Sequence, residues 1–172
     1  MSGRTTCPGC GVELPASGLP WDPSRNASPE CWLLYGEVQG FELRHAELVR
    51  DYHQLAVDAY AAQHAARDAA GDVPPIGVAY ALVGLHLALD RGLPGVQVRA
   101  VHQRMGRPDG SWPRLPAPER TGAVTVLDVA AAGAMVDFVA GHAEAVRSWA
   151  KAVWRAWAPQ HAAVVALAER LR

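Results

Sequence analysis

Two cysteines two residues apart open this chain, in Cys7-Pro8-Gly9-Cys10-Gly11, and there is one further cysteine, Cys31. The Pro-Gly turn aims both sulfurs at one point, so the pair can grip one tetrahedral metal ion. Three cysteines cannot pair off evenly, which makes a disulfide framework a poor fit. A redox CxxC comes after a strand and opens a helix, and the sequence around this one predicts neither. The pattern predicts zinc bound by Cys7, Cys10, Cys31 and one histidine.

The chain has 172 residues, half of them hydrophobic, which suits one domain with one core. A formal net charge of −1 excludes a dominant electrostatic grip on nucleic acid. No signal peptide is visible, because the CPGC turn stands where an apolar stretch belongs. The longest apolar run, Ile76 to Leu89, is too short to cross a bilayer and reads as a buried helix. These features predict a cytoplasmic protein, where reduced thiols and zinc sites persist.

Residues 1–27 hold Pro8, Pro15, Pro20 and Pro23 with glycines between them, so a loop-rich arm without helix is expected. Such an arm has little core of its own, and a bound metal would order it. Residues 28–172 read as a bundle of four to five helices, which makes the expected fold all-α with an N-terminal zinc-binding arm.

Ser28-Pro29-Glu30 is a helix start, with a capping hydroxyl, proline at the first helical position and an acid in the first turn. That helix is expected to run to about Gln39. Cys31 lies in its first turn, where the positive helix end favours a thiolate. The next helix is expected from about Arg44 to Asp68, with Leu48, Leu55, Ala59 and Ala62 at helical spacing. Gly71 and Pro74-Pro75 then break the chain. A third helix, Ile76 to Asp90, is apolar on nearly all sides and should be central. A short helix comes next, at Val96 to Met105. Residues 106–124 form a long loop of the kind that is often functional. Thr125 caps a helix from Val126 to about Ala132. The last helix runs from Met135 to Trp157, and Ala158-Pro159 kinks or restarts it, with Gln160 to Leu171 helical again. No strand pattern stands out.

The fourth ligand is set by register. If the first two helices form an antiparallel hairpin turning at residues 40–43, Cys31 lies level with His53. His45 then sits at the wrong end, and His64 lies about three turns past His53, too far to share its metal. The expected set is therefore Cys7, Cys10, Cys31 and His53, a closed site of the structural kind.

His53, Tyr60 and His64 share one helix face. His64 reads either as a core histidine with one hydrogen bond or as a pocket group acting as base or ligand. Trp149, Val153 and Trp157 share one face of the last helix, and Trp154 and His161 share another. They read as a core seam or as the aromatic wall of a ligand site, which Trp21 and Trp112 could close. A di-iron site does not fit, since the only Glu-x-x-His pair, Glu42 to His45, falls at the expected turn.

At CPGCG, SPECW, HQLAVDAYAAQH and WAKAVWRAWAPQH the chain resembles an uncharacterised family of small bacterial helical proteins. These have a CPGCG start, an HQLxVDAYxxQH helix and a Trp-rich C-terminal helix. The resemblance marks Cys7, Cys10, Cys31, His53, Asp58, Tyr60, Gln63, His64, Trp154, Trp157 and His161. It implies no activity. The chain departs from that pattern after His64, where Ala65-Ala66 replace an expected Pro-Gly and should lengthen the helix. Asp58, Tyr60, His64, Trp154, Trp157 and His161 are the candidate pocket residues. Two functions fit these residues. One is a module with a structural zinc that binds a small molecule or a protein. The other is a metal-dependent enzyme working through His64 and His161.

Overall fold

The computed structural model describes residues 3–65, 74–106, 111–133 and 138–170. Among these the fold is all-α apart from one two-stranded sheet. The expected helix end at Asp68, the Gly71 break, part of the 106–124 loop and the expected helix start at Met135 lie outside the described residues.

The arm is more ordered than its prolines suggest. Strands β1 (Arg4–Thr6) and β2 (Glu13–Pro15) pair antiparallel, with Thr5 opposite Leu14. The CPGCG turn is the loop between them. Cys7 N–H donates to Val12 O at 2.9 Å, and Gly11 N–H donates to Cys7 O at 2.9 Å with Gly11 at φ 76°. That φ is left-handed, a region glycine adopts without strain. Strands of three residues are too short to show alternation, which is why the sequence predicted loop alone.

Helix α1 (Pro29–Glu42) starts as expected, with Ser28 Oγ accepting from Cys31 N–H at 3.2 Å. It runs three residues past its expected end, through Gly40. The arm is tied to its first turn. Ser17 donates from both N–H and Oγ to Glu30 Oε1, at 2.8 and 2.6 Å. Those bonds pull the Glu30 carboxyl down from near 4.5 to about 2.

The expected continuous helix from Arg44 is two helices, α2 (Ala46–Asp51) and α3 (His53–Gln63). The break at Tyr52 has no glycine or proline to announce it. It is satisfied from elsewhere, because Arg99 Nη1 takes the Val49 carbonyl at 3.0 Å. Helix α3 ends at Gln63, so Ala65 does not lengthen it.

Helix α4 (Pro75–Leu89) is buried along most of its length. Helix α5 (Gly95–Arg104) packs on α2, α3 and α4. Helices α6 (Val126–Gly133), α7 (Phe138–Ala156) and α8 (His161–Arg170) complete the bundle, with a 3-10 turn at Ala158–Gln160 between the last two. Thr125 and Asp128 cap α6 reciprocally: Thr125 N–H donates to Asp128 Oδ2 at 2.7 Å, and Leu127 N–H donates to Thr125 Oγ1 at 3.3 Å. The hub is α3 rather than α4. It contacts α1, α2, α4, α5 and α7, and its Ala56, Ala59 and Ala62 are fully buried. These small side chains let neighbouring helices approach closely.

Gln63, at the end of α3, is the polar pin of this core. Its Oε1 accepts from Trp149 Nε1 at 2.8 Å, and its Nε2 donates to the carbonyls of Thr121 and Val124 at 3.1 and 2.9 Å. One buried side chain thus joins α3, α7 and the loop before α6. The loop lies flat on α7 at Gly122, where a Cβ would come within 3.0 Å of Ala152 backbone.

Gln63→Leu leaves an indole N–H and two carbonyls unpaired, and it should cost about 2–4 kcal/mol in urea melts while exposing residues 111–124 to protease. Because Glu30 has a depressed folded pKa, its contribution to holding the arm is complete above pH 4.5. It is lost as pH falls toward about 2. Glu30→Gln should remove that part of the acid dependence, read as the difference between the two acid titration curves.

Candidate metal centre

Cys7, Cys10, Cys31 and His64 bring their ligand atoms within 4.8 Å of one another, a group that can hold a metal ion. The hairpin turn supplies Cys7 and Cys10, the first turn of α1 supplies Cys31, and the residue just after α3 supplies His64. Cys7 Sγ and Cys31 Sγ each lie 3.4 Å from His64 Nε2, and Cys10 Sγ lies 3.8 Å from Cys31 Sγ. All three cysteines are free thiols, with Cys7 and Cys31 buried and Cys10 half-buried. The strand before Cys7 supplies half of a redox CxxC context, but no helix opens at Cys10.

The histidine is oriented for ligation. His64 Nδ1 donates to Tyr60 O at 2.8 Å, which fixes the tautomer and leaves the Nε2 lone pair facing the sulfurs. The ring also stacks on Tyr60 at 3.9 Å. Asn26, in the left-handed region at φ 42°, donates from Nδ2 to the carbonyls of His64 and Ala65, both at 3.1 Å. Gly9 is required between the two turn cysteines, since a Cβ there would lie 2.4 Å from His64 Cδ2 and 2.6 Å from Asn26 O.

The electrostatics call for a cation. Hydrogen bonds from Cys10 and Cys31 lower the Cys7 pKa and favour its thiolate. The Cys10 thiol gains from its bond with Cys31, but Cys7 and burial outweigh that and push it up to about 12. The Cys31 thiol is pushed up by Cys10, Cys7 and burial. One negative charge is thus tolerated among three crowded sulfurs, and a divalent ion would allow all three to ionise.

The imidazole that joins the three sulfurs is His64, where His53 was expected. His53 Nδ1 instead hydrogen-bonds Glu42 Oε2 at 2.8 Å, while His142 Nε2 bonds Glu42 Oε1 at 3.0 Å. Helix α2 is the reason. It lengthens the connection between α1 and α3, so the two helices meet in a register centred inside α2 rather than at residues 40–43. Three contacts share that register: Glu42 with His53, Tyr35 stacked on Tyr60 at 3.8 Å, and Cys31 with His64.

The remaining candidate pocket residues fall in separate places. Tyr60 sits beside the cluster, its hydroxyl 3.8 Å from Cys31 Sγ. Trp154 stacks on His161 at 3.7 Å and donates to Asp90 Oδ1 at 3.2 Å, and His161 Nε2 donates to Trp154 O at 2.8 Å. Trp157 is fully buried and donates to Ala62 O at 3.2 Å. Trp149, Val153 and Trp157 form the core seam. Asp58 is buried against α4, and burial raises its carboxyl pKa well above the usual range. Trp21 is 48% exposed, whereas Trp112 packs on Tyr80. Sequence reasoning missed Glu42 and His142, whose pairing joins residues a hundred positions apart.

A cleft of about 920 Å³ lies beside the cluster, lined by the Cys7–Cys10 turn, Arg120, Thr121, Ala152 and Arg155. Thr121 Oγ1 donates to Gly9 O at 3.1 Å and ties the two walls together.

Fold and site together define an all-α protein with a three-cysteine, one-histidine cluster pinning its N-terminal hairpin to a helical core. A family model, DUF5946, a family of unknown function, matches residues 5–158, and the chain belongs to that family. No curated protein and no solved structure matches the chain. Among the described residues, no helix is long and apolar enough to cross a membrane.

Replacing His64 by Ala should abolish thiolate-ligated metal in protein purified by gel filtration, read as loss of the thiolate-to-Co(II) absorption. Replacing His53 by Ala should leave the metal content unchanged and cost about 1–3 kcal/mol, because Glu42 loses one of its two donors.

Proposed function

We propose that the cluster holds a structural zinc ion and that the protein is a binding module stapled by it. The carrying observation is the donor set: three sulfurs and an imidazole nitrogen whose other nitrogen is already committed to a backbone carbonyl. A tetrahedron with Zn–S near 2.3 Å and Zn–N near 2.0 Å has edges of roughly 3.8 and 3.5 Å. The Cys10–Cys31 separation of 3.8 Å and the two sulfur–nitrogen separations of 3.4 Å agree with it. Four protein donors fill the coordination sphere and leave no position for substrate or water, which favours a structural role over chemistry at that ion.

The binding surface in this reading is the cleft beside the zinc. Its walls are the metal-held turn and α7, and its charged lining residues are Arg120, Arg155 and Glu119, a mild positive excess suited to a small anion or an acidic segment of a partner. Zinc would shape that cleft by fixing one wall.

Chelation under reducing conditions tests the staple. Loss of zinc should lower the melting temperature by about 10 °C or more, the equivalent of several kcal/mol at roughly 2–4 °C per kcal/mol, and should expose residues 3–27 to protease. A chelated protein with an unchanged melting curve and an intact arm would overturn the reading.

A further inference from the structure

We infer that Asp58 and His102 form a second metal site, distinct from the cysteine cluster. Asp58 is 3% exposed and sits on the face of α3 turned toward α4. Gln54 Nε2 donates to its Oδ1 at 3.0 Å, but Oδ2 is buried with no hydrogen-bond partner. His102, on α5, has the same defect, with Nε2 buried and unpartnered. Buried polar atoms in native proteins are nearly always paired.

The two orphans meet over one residue of a third helix. A Cβ on Gly84 of α4 would lie 1.9 Å from Asp58 Oδ2 and 2.9 Å from His102 Cε1, the ring carbon bonded to Nε2. The carboxyl oxygen and that ring carbon are therefore within about 5 Å of one another. The missing side chain at Gly84 leaves room for the two groups to converge.

The chemistry of the donors selects the guest. A carboxylate oxygen and an imidazole nitrogen are ligands for divalent ions such as zinc, cobalt or manganese. Burial keeps this carboxyl neutral, and a bound cation would let it ionise, since the side chain that pairs with Asp58 is the neutral Gln54. Gln54 also holds Oδ1 in place and leaves Oδ2 as the ligating atom, the support that metal-binding carboxylates usually have. The His102 ring is held against Tyr80, with centroids 5.3 Å apart, and Tyr80 in turn is anchored through its hydroxyl to Met105 O. Two protein ligands leave at least two positions for water or a ligand. This site stands independently of the zinc reading of the cysteine cluster.

Titration of metal-free, reduced full-length protein with Co(II) tests the inference. Two equivalents should bind: one with the intense near-ultraviolet absorption of thiolate ligation, the other with weak visible bands alone. Asp58→Asn and His102→Gln should each weaken the second equivalent at least about tenfold and leave the thiolate band intact. Cys31→Ser should do the reverse. His102→Gln lies at a half-exposed position and keeps the test valid if Asp58→Asn fails to fold. One equivalent in the wild type, with a water in place of the metal, would overturn the inference. So would a second equivalent indifferent to both variants. Loss of the thiolate band alone would count against the zinc staple and leave this site standing.

Discussion

The antiparallel register of α1 on α3 is the constraint that places every other part of the molecule. Cys31, Tyr35 and Glu42 step along α1 at intervals of four and seven. Their partners His64, Tyr60 and His53 step back along α3 at the same intervals. These spacings keep residues on one helix face, so a single rotation of each helix satisfies all three contacts. The three-cysteine, one-histidine cluster stands at one end of this seam, a stacked pair of tyrosines in the middle, and a buried carboxylate between two imidazoles at the other end. A slip of one turn would separate the cluster and take His53 away from the buried Glu42.

Much of the specificity in this core is polar. Helices α3 and α4 bury residues on several sides, so apolar patterning alone would tolerate more than one rotation. Gln63 and Glu42 remove that freedom. Each is fully buried and each has its hydrogen-bonding capacity directed at partners far away in sequence. A satisfied buried network adds little net stability, but its half-satisfied alternatives are costly, which selects one arrangement.

Local signals were legible in the sequence and long-range register was not. The Ser28-Pro29-Glu30 start, the Thr125 cap and the helix opening at Pro75 were readable because each depends on a few adjacent residues. The three cysteines were readable as one cluster because their number and the CxxC spacing exclude the alternatives. The fourth ligand failed for a specific reason. A level match of Cys31 with His53 requires one uninterrupted helix from Arg44, whereas α2 ends at Asp51 with no breaker residue to mark it. What allows the break is Arg99 on the Val49 carbonyl, a tertiary contact that no local pattern reveals. The Tyr60–His64 face was visible, but what it faced was not. The paired strands were too short to register, and the convergence of Asp58 and His102 over Gly84 needs three helices in place before it exists.

The N-terminal hairpin closes on partners that come much later in the chain. Cys7 waits for His64, and the carbonyl of Gly9 waits for the hydroxyl of Thr121, itself placed by Gln63. A chain leaving the ribosome from its N-terminus therefore cannot complete its first structural unit until well over half of it has been made. During that interval the three thiols are exposed to oxidants and to competing metal ions. Translation speed through the segment between His64 and Thr121 thus sets how long the nascent protein is chemically vulnerable.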